Sequence, residues 1–256
     1  MNFIVSWSGG KDSTFMLLDL VRSGVHIDEV VCCDTTIEFE GMYIHQKKVV
    51  DLIHSYRPEL KFTFLKPDND FEFYMFDYVK QRGSRAGQCG LGWANPNYIW
   101  CRKYLKLDII TKYLRSKYGS DYRVAIGIAF DEYDRYDFSD ETKVYPLIEK
   151  KITELMCLHG CWDAGIDFEG LYDHFFRVSC WCCPLQSIKD LYILYSFYPH
   201  LWCKLREYDD LQNNRFRKDY TLQELEDTFS RLTKVSEPND DIKVYPVIKV
   251  SDPEVI

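Results

Sequence analysis

Short apolar runs alternate with amphipathic stretches over the first half of the chain. Phe3-Ile4-Val5 is an unbroken apolar run of strand length, and Thr14 to Val21 follows it with helical spacing. Ser23-Gly24 supplies a left-handed stop for that helix. Glu29 to Cys33 reads as a second strand, closed by Asp34 and the turn Asp34-Thr35-Thr36. Strand, helix and strand in such a short span predict a βαβ unit and a parallel sheet. Met42, Ile44, Val49, Val50 and Ile53 mark one face of a helix over residues 41–56, and Phe62-Thr63-Phe64-Leu65 a third strand. Phe71 to Val79 predicts a short aromatic helix. Residues 82–97 hold four glycines and a proline and show neither period. A loop of that length commonly acts as a lid or binding segment. Arg82, Arg85 and Arg102, in or beside it, are candidates for phosphate contact or plain surface charges.

Further on, a long helix is expected over 98–118, a fourth strand over 123–128, an extended segment over 144–148 and a brief helix from Thr153 to Leu158. A helical stretch over 185–208 is interrupted at Pro199. Thr221-Leu222-Gln223-Glu224 is a capping box that opens a last helix, to about Leu232. Residues 236–241 read as a polar linker, and Lys243-Val244-Tyr245-Pro246 echoes Lys143-Val144-Tyr145-Pro146 as an edge-strand entry. The whole predicts an α/β fold, a mostly parallel sheet with helices on both faces, over residues 1–150. A Cys-rich, mainly helical region over 151–256 is expected to pack on it.

Composition narrows this picture. At 46% hydrophobic residues the 256-residue chain has material for a core and is not a disordered one. A net charge of −8 argues against nucleic-acid binding by bulk charge and leaves a local basic groove open. No apolar stretch reaches membrane-spanning length. The first strand begins at once, leaving no room for a signal peptide, so a cytoplasmic location is expected. Ten cysteines in that compartment favour metal binding or thiol chemistry over disulfides.

The chemistry concentrates in Ser6-Trp7-Ser8-Gly9-Gly10-Lys11-Asp12-Ser13, between the first strand and the first helix. Gly9 and Gly10 let the backbone bend sharply and approach a ligand. The helix start presents N–H groups and the positive end of its dipole, Ser8 and Ser13 add hydroxyls, and Lys11 adds a mobile positive charge. This is a phosphate site, and its spacing is not that of a Walker A loop. Asp34 ends the neighbouring strand on the same side, where ligands of parallel sheets gather. It could hold a ribose hydroxyl or a magnesium ion, or serve as a helix cap or Asx turn.

The loop Ser8 to Ser13 resembles the PP-loop of the ATP pyrophosphatase superfamily. Other stretches are similar to its phosphoadenosine phosphosulfate (PAPS) reductase-like and sulfate adenylyltransferase small-subunit-like branch. Cys33-Asp34-Thr35-Thr36 with Glu38-Phe39 resembles the segment after that branch's second strand. Gly127-Ile128-Ala129-Phe130-Asp131-Glu132 resembles a G-I-R-x-D-E-S motif, with Ala129 in place of the arginine. Tyr145-Pro146-Leu147-Ile148 resembles the P-L-I element, and Leu171-Tyr172-Asp173 with Arg177 and Cys180 the L-Y-D motif. The resemblance covers residues 3 to 184. It implies ATP and Mg2+ as cofactors, held by Ser6, Ser8, Gly9, Gly10, Lys11, Asp12, Ser13, Asp34, Thr35 and Gly127. Lys11 would be the electrostatic catalyst, and Asp12 would orient Lys11 or the metal. True reductases carry a cysteine in an E-C-G-L-H context, which these residues lack, and a degraded loop. The complete loop here favours an ATP-consuming enzyme that adenylates an acceptor for sulfur or nitrogen transfer. Thiol-dependent reduction of a sulfonucleotide and a nucleotide-binding subunit without turnover are the alternatives. A nucleic acid, a sulfur donor protein and a homo-oligomeric partner are all compatible, and no membrane partner is expected.

Iron–sulfur members of the branch hold a 4Fe-4S cluster with a cysteine pair and a C-x-x-C about eighty residues on. Cys101 lies 79 residues before Cys180, which pairs with Cys183. Cys101, Cys180, Cys183 and Cys182 are thus implied as ligands, with Cys161, Cys157 and Cys89 as alternatives for the fourth. Zinc uses the same thiolates, and buried unliganded thiols are the remaining reading.

Overall fold

A computed structural model describes residues 1–212 and 214–232. The linker expected over 236–241 and the strand entry at Lys243 lie outside those residues. The chain divides into two compact units, Met1–Glu169 and Gly170–Ile256. The division falls after Glu169 rather than after residue 150.

In the first unit, β1 (Asn2–Ser6) leads into α1 (Lys11–Arg22), β2 (Glu29–Cys33), α2 (Glu40–Tyr56) and β3 (Phe62–Leu65). A π-helical turn, Phe73–Asp77, follows. The long helix expected over 98–118 is built in three pieces: α3 (Trp100–Arg102), a π-helical turn at Lys103–Leu107, and α4 (Asp108–Tyr118). Then come β4 (Tyr122–Ile126), β5 (Lys143–Val144), α5 (Pro146–Glu149) and α6 (Glu154–Asp163). The extended segment expected over 144–148 holds only two strand residues. Pro146, whose fixed φ suits a first helical position, opens a helical turn instead.

The strands form one sheet in the order β3-β2-β1-β4-β5, every neighbouring pair parallel. Helices cover both faces. Ile4, Val31 and Val124 turn to Leu114 of α4, joined by Ile110 and Tyr113. On the opposite face Trp7 stands edge-on to Phe62 (5.8 Å), which His54 of α2 also meets edge-on (5.4 Å). α6 lies against α1 so closely that a Cβ at Gly160 would stand 2.1 Å from the Phe15 ring. That contact puts α6 in the first unit, although the sequence around Cys157 suggested a new segment.

The second unit is helical: α7 (Leu171–His174), α8 (Ile188–Phe197), α9 (Pro199–Asp210) and α10 (Leu222–Phe229). Pro199 sits at the first turn of α9, where it ends one helix and starts the next. Thr221 and Glu224 make the expected capping box. Trp202 and Tyr192 pack on Phe229 (centroids 5.9 and 5.4 Å), and Trp202 Nε1 donates to Glu226 (2.6 Å).

Candidate functional site

In this strand order, chain connections leave β1 and β4 in opposite directions, and ligands of such sheets bind beyond the carboxyl ends of those two strands. The loop Trp7–Gly10 leaves β1 there, and Gly127 follows β4. Gly127 is fixed by close approach: a Cβ on it would lie 2.6 Å from Ser13 Cα. Gly9 has φ +83°, and a Cβ there would meet Met42 Sδ and Gln46 Nε2 at 2.9 Å.

The loop is braced from within. Ser8 and Ser13 hydroxyls are 3.0 Å apart, and the Ser8 N–H donates to Ser13 Oγ (3.1 Å). The Gly9 carbonyl accepts from Thr14 Oγ1 (3.2 Å) and from His45 Nε2 (2.9 Å). Trp7 Nε1 donates to Thr14 Oγ1 (3.0 Å). His45 is buried against Phe168, and that burial pushes its pKa down to about 4, so it donates to Gly9 as a neutral ring. Nothing in the sequence singles out His45. Ser6, half-buried, ends β1 in register with Val31 and Ile126.

Lys11 is not the mobile charge its motif suggests. It is 1% exposed, and its ammonium is held by Asp12 (3.2 Å) and by Glu154 at the start of α6. Burial alone would lower its pKa; the two carboxylates overturn that and raise it. The pKa of Asp12 also rises, but here burial is the cause. Burial raises its carboxyl to about 6, with Lys11 opposing and Glu154 and Glu132 adding. Its Oδ1 is buried without a nitrogen or oxygen donor among the described residues, and the Cys157 thiol lies beside the carboxylate. Glu154 is itself placed by its N–H, which donates to Asp131 Oδ1 (2.9 Å). Cys157 and Cys161 of α6 are fully buried behind this cluster, Cys161 Sγ donating to the Lys11 carbonyl (3.5 Å). Burial drives both thiols far above their ordinary pKa, which suits core packing and not ligation. Ala129 is fully buried.

Asp34 stands at the carboxyl end of β2. Its Oδ1 accepts from the Thr36 N–H (2.8 Å) and from Tyr43 Oη (2.9 Å), which is an Asx turn. The Thr35 hydroxyl donates to Glu38 (2.7 Å). Cys101 belongs to the first unit and Cys180, Cys182 and Cys183 to the second. The Cys183 N–H closes a turn on the Cys180 carbonyl (3.1 Å). Among the described residues no group of three or more His, Cys, Asp or Glu side chains is gathered to hold a metal ion. Nor is any helix among them long and apolar enough to cross a membrane.

No family model matches the chain. It is similar to an uncharacterised protein of Methanocaldococcus jannaschii, 28% identical over 228 residues. That match takes in 82% of this chain and 42% of the relative, so the chain spans about two fifths of that protein's length. Among solved structures it is similar to the U34-tRNA thiolase NcsA from Methanococcus maripaludis with its 4Fe-4S cluster. The likeness has a TM-score of 0.38 and 16% identity, over 84% of this chain and 73% of that one. At that level it does not extend to function.

Proposed function

We propose that the chain is an ATP pyrophosphatase-type enzyme of the PAPS reductase-like group that transfers an adenylyl group to an acceptor. The observation that carries this is the braced loop at Ser8–Ser13, set at the switch point of the parallel sheet with Gly127 closing on it. An acceptor oxygen attacks the α-phosphorus of ATP, the bond from that phosphorus to the bridging oxygen breaks, and pyrophosphate leaves with the electron pair. The start of α1 and the Lys11 ammonium oppose the growing negative charge on the leaving group. To act there Lys11 exchanges one of its two carboxylate partners for phosphate. Asp34 and Thr35, at the carboxyl end of β2, would face the nucleoside. The buried Oδ1 of Asp12, with no nitrogen or oxygen donor on it, fits a cation, and Mg2+ bound there would neutralise phosphate charge.

Calorimetry should show ATP bound at least tenfold more tightly than AMP, and Lys11→Ala should abolish the difference. Equal affinity of the native protein for both nucleotides would remove the loop from this role. Product analysis separates the alternatives. Pyrophosphate marks adenylyl transfer and sulfite marks sulfonucleotide reduction. Tight ATP binding without either product marks a nucleotide-binding subunit.

Thiolate ligation by Cys101, Cys180, Cys182 and Cys183 is a separate proposal, motivated by the C-x-x-C turn and the spacing of Cys101. No step above runs through them. Protein prepared without oxygen or chelator should contain iron and be brown, or contain zinc and be colourless. Neither metal would leave these cysteines as ordinary thiols.

A further inference from the structure

Between Asp77 and Asp108 the chain carries six basic residues and no acidic one, within a molecule of net charge −8. They are Lys80, Arg82, Arg85, Arg102, Lys103 and Lys106. Only Lys103 of the six is in an ion pair among the described residues, with Asp108. Arg82 and Arg85 stand on the exposed tip of a hairpin, closed by Lys80 N–H to the Gln88 carbonyl (2.9 Å) and Gly87 N–H to the Lys80 carbonyl (2.8 Å).

At the base of the hairpin the two π-helical turns meet. Tyr74 of the first stacks on Tyr104 of the second, with centroids 5.3 Å apart and planes 13° from parallel. Tyr78 lies tilted against both, at 5.6 and 6.1 Å. Tyr98 is 45% exposed, its hydroxyl 3.4 Å from that of Tyr104, and the Lys103 ammonium sits 4.8 Å over the Tyr104 ring. π-helical turns are rare and concentrate at functional sites. The segment is also tied to the ligand edge of the sheet. Phe71 N–H donates to Thr36 Oγ1 (3.1 Å), and Cys33 Sγ donates to the Leu105 carbonyl (3.0 Å), on either side of Asp34.

We infer that residues 74–106 form a docking surface for single-stranded RNA. Cations that track a phosphate backbone beside tyrosines on which unpaired bases stack are the means by which proteins hold single strands. A duplex hides its base faces and cannot use the tyrosines. RNA is favoured over DNA because Gln81, Ser84, Gln88 and Asn97 are exposed among these cations. Their amides and hydroxyl both donate and accept, as a 2′-hydroxyl requires. The inference rests on the adenylyl-transfer reading in that the RNA would carry the acceptor; binding itself needs no ATP.

Fluorescence anisotropy with a labelled RNA of about 12 nucleotides, the same sequence as DNA, and the RNA as a duplex tests this without nucleotide present. Single-stranded RNA should bind tightest, with affinity falling steeply between about 50 and 200 mM salt. Arg82→Glu with Arg85→Glu should weaken it at least tenfold and reduce the salt slope by about one for each phosphate the two arginines neutralise. Tyr98→Ala should weaken it about tenfold with the slope unchanged. Both variants should keep ATP binding by calorimetry. Ser8→Glu, at an exposed loop position, should lose ATP and keep RNA. Duplex or DNA binding as tight as single-stranded RNA, or equal RNA binding by the native protein and the double arginine variant, would overturn the inference. RNA binding as described in a protein that ignores ATP would sink the nucleotide reading alone.

Discussion

The ammonium of Lys11 sits between the carboxylates of Asp12 and Glu154, and burial raises the pKa of Asp12. Its carboxyl titrates at about 6 against an ordinary 3.8. A carboxyl raised on folding contributes stability that is complete below about pH 3.8 and lost as pH rises through about 6. Asp12→Asn removes the charge and keeps the shape. It should therefore raise stability at pH 8 by on the order of 2–3 kcal/mol, with the gain shrinking toward zero near pH 4. It should also cut ATP turnover at least tenfold, the usual trade where a strained site does chemistry. Melting curves of both proteins at the two pH values check the first expectation. A variant less stable than the native protein at pH 8 would show that the ion pair with Lys11 outweighs the burial. The motif announced Lys11 and Asp12 but not this balance, because Glu154 reaches Lys11 from 143 residues away and belongs to no local pattern. His45 escaped notice for the same reason.

Elements were legible where one face is apolar and the ends are marked. Strands β1 to β4 and helices α1 and α2 follow the hydrophobic pattern, and so do α8 to α10 with the Pro199 break and the Thr221 cap. The π-helical turns were not legible, since one extra residue in a turn leaves composition and period almost unchanged. Nor was the turn at Pro146, where a proline fits a strand edge and a helix start equally well. The sequence also could not tell that Cys157 and Cys161 belong to the sheet unit, because packing on α1 and not composition puts α6 there. Gly127 is where one element depends most sharply on another. A Cβ there would press on the backbone of Ser13, at 2.6 Å from Cα and 2.8 Å from N, and a helix backbone cannot swing aside as a side chain can. Gly127→Ala should lower stability by about 1–3 kcal/mol and displace the first turn of α1. Loss of ATP affinity should exceed what the melting shift predicts. Equal and small effects on both would mean that the strand end, not the loop, absorbs the methyl group.

Within the sheet unit the two edges divide the work. The carboxyl edge holds the loop, the turn at Asp34 and the basic tyrosine-rich segment, where buried charge is kept at a cost. The opposite edge holds Glu29, fully buried at the start of β2. Its carboxylate accepts from Tyr118 Oη (2.7 Å), Tyr113 Oη (2.8 Å), Lys117 (2.8 Å), Lys61 (2.9 Å) and the Thr63 hydroxyl, tying β2 to β3 and α4. Burial alone would raise its pKa. Hydrogen bonds from Lys117, Thr63, Lys61 and Tyr118 overturn that and hold it well below the ordinary carboxylate range. A carboxylate depressed on folding contributes stability that is present above its unfolded pKa and lost as pH falls below it. The native protein should therefore lose stability from about pH 4.5 downward. Glu29→Gln leaves two lysines and two tyrosines facing an uncharged amide. It should cost about 2–4 kcal/mol at pH 7, since both lysines retain access to water and recover part of their solvation. The cost should fall as pH drops through the acid limb, where the native carboxylate is itself becoming protonated. Denaturant melts from pH 7 to pH 3 check this. An equal cost at every pH would mean that the network acts by shape alone and that charge at the amino edge does not stabilise the sheet.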